Sequence, residues 1–286
     1  MPDTTIIGTG GLGSAFIRGF ATKGIPIKSI FNRTLAKVEP LVQEVQVEEK
    51  GTFPNTKEEL GQIIFLTVPD RSITQVADRL ASLSDDWSDK TIVHCSGNES
   101  AHLLKELQEK GGTTASFHPL QTFPPGSTSD RFEDIYFSMQ GDNSAFPFLK
   151  EIAELLGAHF FQVNEEQKSH LHAAAVMASN YVHTILDAAV NTAALGDLSR
   201  GESKKALLPL VQQTVTNAGK YSLEEALTGP IQRGDLSTVK KHLQLLEEDE
   251  ELRKIYSQLG RNTVALALRS GAITDETADQ FYSILK

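Results

Sequence analysis

The sequence predicts an α/β domain, built on a mainly parallel sheet with helices on both faces, followed by an all-helical second domain. Up to about residue 163, short β-rich runs alternate with helix-length segments, the pattern of strands joined by crossover helices. A glycine-rich turn separates the first strand from the first helix. Beyond Val163 no strand pattern recurs, and stretches rich in Ala, Leu, Lys, Glu and Gln take over. The expected domains are therefore residues 1–163 and 164–286.

In chain order the expected strands are Thr4 to Ile7, Ile27 to Phe31, Ile63 to Val68, Thr91 to His94, Thr114 to Phe117, Ile135 to Met139 and His159 to Val163. Helix-length segments lie between most of them: Gly11 to Lys23, Ser72 to Leu83, Ser100 to Lys110 and Ala145 to Leu156. In the second domain the spacing predicts one long helix from Glu165 to Leu195, then helices over Lys204 to Lys220, Ser237 to Leu246, Glu251 to Ser270 and Thr274 to Leu285. Thr274 and the acids after it form a helix-start signal.

At 286 residues the chain fits two ordinary domains of roughly 150 residues each. Its 40% hydrophobic and 22% charged residues are those of a globular protein with a sizeable core. A formal charge of -10, without a Lys/Arg-dense block, leaves little to neutralise a phosphate backbone, so nucleic acid is not an expected partner. Cys95 is the single cysteine, which excludes an intrachain disulfide and a Cys-rich zinc site. No signal-peptide pattern or membrane-length apolar stretch stands out, and the expected location is the cytoplasm.

The first strand runs into Gly8-Thr9-Gly10-Gly11-Leu12-Gly13, the spacing of a dinucleotide fingerprint in a Rossmann-like unit. Gly8 permits the turn, Gly10 lets the backbone approach a pyrophosphate, and Gly13 lets the helix pack on the sheet. After the second strand, where NAD-binding units place an acid against the ribose 2′-hydroxyl, this chain has Asn32-Arg33-Thr34. A guanidinium pairs with a 2′-phosphate and a hydroxyl donates to it, so the expected cofactor is NADP(H). Lys37 adds charge nearby, or is simply solvated.

Ligands of open α/β sheets lie beyond the carboxyl ends of the strands. There the chain places Val68-Pro69-Asp70, His94-Cys95-Ser96-Gly97 and Phe117-His118-Pro119-Leu120-Gln121. The first either lines the cofactor or merely ends a strand. Ser96 and His118 could face one pocket, the histidine suited to proton transfer near neutrality and the serine to holding a substrate oxygen; alternatively His118 only fixes its loop. Cys95 reads as a small buried residue at the cofactor's edge rather than a nucleophile.

In the second domain His172, Val176, Ser179 and His183 share one helical stripe, with Asn180 beside it. This stripe is either substrate-facing or a buried interhelical network. Asn180 and then His172 are its functional candidates, because an amide both donates and accepts. Arg233 is a candidate clamp for a carboxylate, or a structural arginine. No metal-ligand spacing is evident, and no metal is called for.

The glycine loop, these three strand-end loops, Ala173-Ala174-Ala175 with Ser179-Asn180-Tyr181, and Leu227-Thr228-Gly229-Pro230-Ile231 with Arg233-Gly234-Asp235 resemble the NADP oxidoreductases in which a Rossmann-like domain precedes a helical domain of unassigned function. The layout is more distantly similar to pyrroline-carboxylate reductases, ketopantoate reductases, β-hydroxyacid dehydrogenases and prephenate dehydrogenases. Likeness to the last implies substrate contacts at Ser96 and His118. Likeness to the β-hydroxyacid and ketopantoate enzymes implies a lysine and an asparagine one helical turn apart; Lys168 and Asn180 are the nearest counterparts, farther apart than that.

The function expected from all this is hydride transfer between NADP(H) and a small polar carbonyl, alcohol or imine substrate, with a carboxylate-bearing one in view. The alternative is a non-catalytic NADP(H)-binding redox sensor. The helical domain carries more apolar positions than it readily covers, so a homodimer through it is expected.

Overall fold

The computed structural model describes residues 1–286. The chain divides into two compact units, Met1–Met177 and Ala178–Lys286. The division falls later than the expected 163/164 boundary because the first helix after the sheet is tied to the sheet's loops.

The first unit holds eight strands: β1 (Thr4–Ile7), β2 (Ile27–Phe31), β3 (Glu49–Gly51), β4 (Ile63–Leu66), β5 (Thr91–His94), β6 (Thr113–Pro119), β7 (Tyr136–Gly141) and β8 (His159–Gln162). They form one sheet in the order β3-β2-β1-β4-β5-β6-β7-β8. Neighbours are parallel except β6 and β7, which run antiparallel. The order reverses direction at β1, which puts the loops after β1 and β4 side by side at the carboxyl edge, where such sheets bind ligands. β1 and β4 are buried along their whole length, as expected of strands covered on both faces.

The helices of this unit are α1 (Gly11–Lys23), α2 (Glu39–Glu44), α3 (Ile73–Ala81), α4 (Lys105–Glu109), α5 (Phe146–Leu155) and α6 (Glu165–Ala178). One face of the sheet packs an aromatic core. Phe16 of α1 lies 5.0 Å from Phe132, 5.2 Å from Phe20 and 5.3 Å from Phe65, and Phe117 stacks on Phe137 at 4.0 Å. The opposite face buries Ile64, Leu66, Ile73, Leu80, Trp87 and Leu104.

The second unit is all helical: α7 (Asn180–Ala194), α8 (Arg200–Ala218), α9 (Leu223–Ala226), α10 (Leu236–Leu245), α11 (Glu250–Arg269) and α12 (Asp275–Ile284). Its core gathers Val239, Leu243, Val264, Ala267, Phe281 and Leu285. Thr274 caps α12 as the sequence predicts, its hydroxyl accepting from the Thr277 N–H. No helix is long and apolar enough to cross a membrane.

Two expectations are corrected. The single helix predicted over Glu165 to Leu195 is broken at Ser179, whose ψ of -66 and φ of -123 leave the helical region, so the stripe joining His172 to His183 is not continuous. The edge strand β3 was not expected, and it is exposed, short and charged.

The aromatic core dominates the first unit's stability. Phe16→Ala is expected to cost about 3–5 kcal/mol in urea unfolding, against less than about 1 kcal/mol for Phe148→Ala on the exposed side of α5. Equal costs for the two would mean that the unit is not held together there.

Candidate functional site

The glycine loop is built by close backbone approach. Gly8 has φ +109, and a Cβ on it would lie 2.7 Å from the Thr67 carbonyl oxygen; a Cβ on Gly13 would lie 2.0 Å from the Gly8 oxygen. The Thr67 hydroxyl donates to that same Gly8 oxygen at 2.6 Å, pinning β1's end to β4's. The Asn32 side chain links the loop to the end of β2, accepting from the Thr9 N–H at 3.3 Å and donating to the Thr34 carbonyl at 3.0 Å.

The amino end of α1 has no side-chain cap. Its first backbone bond runs from the Ser14 N–H to the Gly10 oxygen, leaving the earlier amides to point out of the helix with its positive dipole end. A cavity of about 430 Å³ opens on this end. It is lined by Gly8, Thr9, Gly10, Leu12, Asn32, Arg33, Thr34, Lys37, Thr67, Val68, Pro69, Asp70, Cys95 and Ser96. Nothing stands within 4 Å of where a Gly10 Cβ would be, and the buried Thr9 Oγ1 has no hydrogen-bond partner. A cradle with an unsatisfied hydroxyl, orphan amides and an arginine at its rim fits a dinucleotide pyrophosphate.

The structure thus gathers nearly all of the expected cofactor residues. Gly11 and Gly13 do not line the cavity. A Cβ on Gly11 would sit 1.9 Å from the Phe123 oxygen of the β6–β7 loop, so its role, like that of Gly13, is packing.

Beyond β5 and β6 lies a cluster built around Lys168 of α6. Lys168 is 1% exposed, and its ammonium donates to the Ser96 carbonyl and the Ser116 hydroxyl, each at 2.7 Å. Burial pushes it down to about 8. The Ser96 hydroxyl oxygen accepts from the Asn98 and Glu99 N–H groups at 3.3 and 3.0 Å, which folds the loop and leaves its own proton to donate. The ring of His118 lies 6.2 Å from that of His172, and a Cβ on Gly97 would lie 2.7 Å from His118 Nε2 and 2.6 Å from His172 Nδ1. His172 Nδ1 is buried without a partner.

Burial, reinforced by the Lys168 charge, pushes His118 down to about 3 and His94 to about 4. His94 Nδ1 accepts from the Ser96 N–H at 3.2 Å, which also requires a neutral ring. Cys95 is buried and its thiol pushed up, so it is no nucleophile. Ser96, His118 and His172 are therefore brought together. Asn180 and Arg233 belong to the second unit, both exposed; Asn180 Oδ1 accepts from the Ser179 hydroxyl at 2.9 Å. The sequence reading underrated Lys168, and the signal was there: His172, four residues on, shares its helical face.

The fold is that of Rossmann-like chains with a helical carboxyl-terminal unit. Residues 4–98 match the family described as NADP oxidoreductase, coenzyme F420-dependent, and residues 135–263 match a domain of unknown function, DUF2520. The resemblance read from the motifs is borne out by this pairing. Among solved structures, the chain is similar to protein TM1727 from Thermotoga maritima, at 27% identity and a TM-score of 0.76 over 94% of this chain and 99% of that one. It is also similar to a Bacteroides fragilis protein designated an NADP oxidoreductase, BF3122, at 22% identity, TM-score 0.71, over 92% and 98%. A reductive aminase from Aspergillus terreus, solved with NADPH and ethyl levulinate, shares the fold at 16% identity, TM-score 0.65, over 98% of each chain. No curated protein matches the chain.

The neutral histidines set the acid limit of stability. His94 and His118 titrate near 4 and 3 when folded and near 6.5 when unfolded, so between these values the unfolded chain binds more protons. Their contribution is fully present above about pH 6.5 and is lost as pH falls towards 4 and below. Urea midpoints measured from pH 4 to 7 should rise with pH, and less steeply in a His94→Asn/His118→Asn variant; identical slopes would show that these rings do not titrate as described.

Proposed function

We propose that the chain is an NADP(H)-dependent oxidoreductase acting on a small polar substrate, with a carboxylate-bearing carbonyl or imine compound as the favoured class. One observation carries the reading: a single cavity runs from the glycine loop to Cys95 and Ser96, with Arg33, Thr34 and Lys37 along its wall. The pyrophosphate would take the orphan amides of α1, and Arg33, Thr34 and Lys37 would hold the adenosine 2′-phosphate. When bound, the cofactor supplies or accepts a hydride at its nicotinamide ring. The family match over residues 4–98 supports this choice of cofactor.

The chain's own residues orient the substrate and manage its proton. The Ser96 hydroxyl, its oxygen already held by loop amides, donates to the reacting oxygen or nitrogen. His118, expected from sequence to be the proton donor, is neutral at pH 7 and acts as a hydrogen-bond partner instead, beside His172. Lys168, its ammonium pushed down to about 8 by burial, holds the exchangeable proton in this reading. Asn180 and Arg233, the other polar candidates from the sequence, belong to the second unit, and no role in this site is built on them.

Gly10→Ala would place a methyl carbon in the cradle without meeting protein atoms. The expected result is an unchanged unfolding midpoint and an NADPH affinity lowered at least about tenfold in calorimetry. Wild-type protein that bound neither NADPH nor NADP would end the proposal, as would a panel of small oxo acids and cyclic imines with no NADPH consumption for the enzymatic half of it.

For the assembly we propose a homodimer through the helical unit. Helices α7 and α8 bury only Val190 and Ser203 between them, while Tyr181, Ile185, Leu208, Leu210 and Val215 are exposed. Light scattering at micromolar concentration should give twice the chain mass, dropping to one chain in a Leu210→Glu/Val215→Glu variant. A wild-type mass of 31.2 kDa would refute it.

A further inference from the structure

A second cavity, of about 640 Å³, adjoins the first and shares Gly8, Asn32, Arg33, Val68 and Pro69 with it. Its far wall belongs to a different part of the chain, the turn after β4 and the exposed face of α3, which contribute Arg71, Gln75 and Arg79. Gln75 and Arg79 are one helical turn apart and so present one face. No acid lines the cavity. None of its three arginines is in an ion pair, although arginines elsewhere in the chain, such as Arg18 and Arg200, are. The Arg79 guanidinium lies 3.8 Å from the centroid of the Phe53 ring, a cation–π contact that holds its plane against an aromatic wall.

Arginines without carboxylate partners, lining one space of this size from the turns after β2 and β4 and from α3, are placed to receive a multiply charged anion. A guanidinium fixed by stacking keeps its outward N–H fork and loses little freedom on pairing. The cavity opens from the glycine loop past Arg33, which is where the adenosine end of a dinucleotide must lie once its pyrophosphate occupies the loop.

Building on the proposed cofactor reading, we infer that this cavity takes the adenosine end of the cofactor, and that Arg71 and Arg79 join Arg33 in selecting for its 2′-phosphate. Cofactor choice then rests on Arg71 of the turn after β4 and Arg79 of α3 as well as on Arg33, Thr34 and Lys37 of the turn after β2. Removing Arg33 weakens the selection but leaves part of it.

The test is calorimetry with 2′,5′-ADP and 5′-ADP, which differ only in the 2′-phosphate. Wild type, Arg71→Ala/Arg79→Ala and Arg71→Lys/Arg79→Lys are compared, each checked for an unchanged unfolding midpoint. The wild type should favour 2′,5′-ADP, and the double alanine variant should lose at least about tenfold of that preference, with 5′-ADP affinity moving less than about twofold. The double lysine variant, keeping the charge, should recover part of the loss. An unchanged preference in the alanine variant overturns the inference and leaves the cofactor reading standing. An equal loss for both ligands overturns it too, because the arginines would then serve the adenine and not the phosphate. A wild type that binds neither ligand overturns the cofactor reading, and this inference with it.

Discussion

The arrangement beyond the carboxyl edge of the sheet depends on one buried cation. Lys168 gives its ammonium to the Ser96 carbonyl and the Ser116 hydroxyl, with no carboxylate in contact. Burying an ion without a counter-ion costs several kcal/mol even after relaxation, and hydrogen bonds to neutral oxygens offset only part of that. The cost is tolerable because one group fastens three elements: α6, the β5 loop and β6. It also explains why α6 goes with the sheet rather than with the helices that follow it.

The same charge sets the state of its neighbours. Burial alone disfavours a charged imidazole, and a nearby ammonium disfavours it further, so His94 and His118 stay neutral. A neutral His94 can accept from the Ser96 N–H, which fixes the loop that carries the Ser96 hydroxyl. Charge, hydrogen bonding and loop shape are thus consistent with one another. Substituting Lys168 would disturb all three, so its effect on any one of them would have to be read against the others.

What could be read from the sequence was local, and what escaped it was not. The glycine loop declared itself because three glycines at fixed spacing follow a strand and open a helix, and each requirement is met within a few residues. The parallel strands showed as apolar runs because both faces are covered. Strand β3 was hidden because an exposed three-residue edge of Glu49, Lys50 and Gly51 has no apolar signature. The break at Ser179 was hidden because neither glycine nor proline marks it and Ala178 and Asn180 continue the pattern on either side. Lys168 was named in the sequence only as a distant counterpart of a family lysine, and its burial was hidden because its partners lie 72 and 52 residues away along the chain. Arg71 and Arg79 carried no signal in the sequence, because only the βα topology brings them to the same cavity as Arg33.

That topology also resolves an electrostatic tension. The chain carries a formal charge of -10, while a 2′-phosphorylated dinucleotide is itself strongly anionic, so at long range the two repel. At physiological ionic strength the repulsion is screened beyond roughly 8 Å, and what remains is decided by the groups lining the cavities. There the balance is reversed: α1 presents its positive end, and Arg33, Lys37, Arg71 and Arg79 outnumber Asp70. An acidic protein can therefore hold an anionic ligand without a basic surface, provided that its cations are gathered at one sheet edge. The reversal of strand order at β1 gathers them there, by setting the turn after β4 beside the turns after β1 and β2.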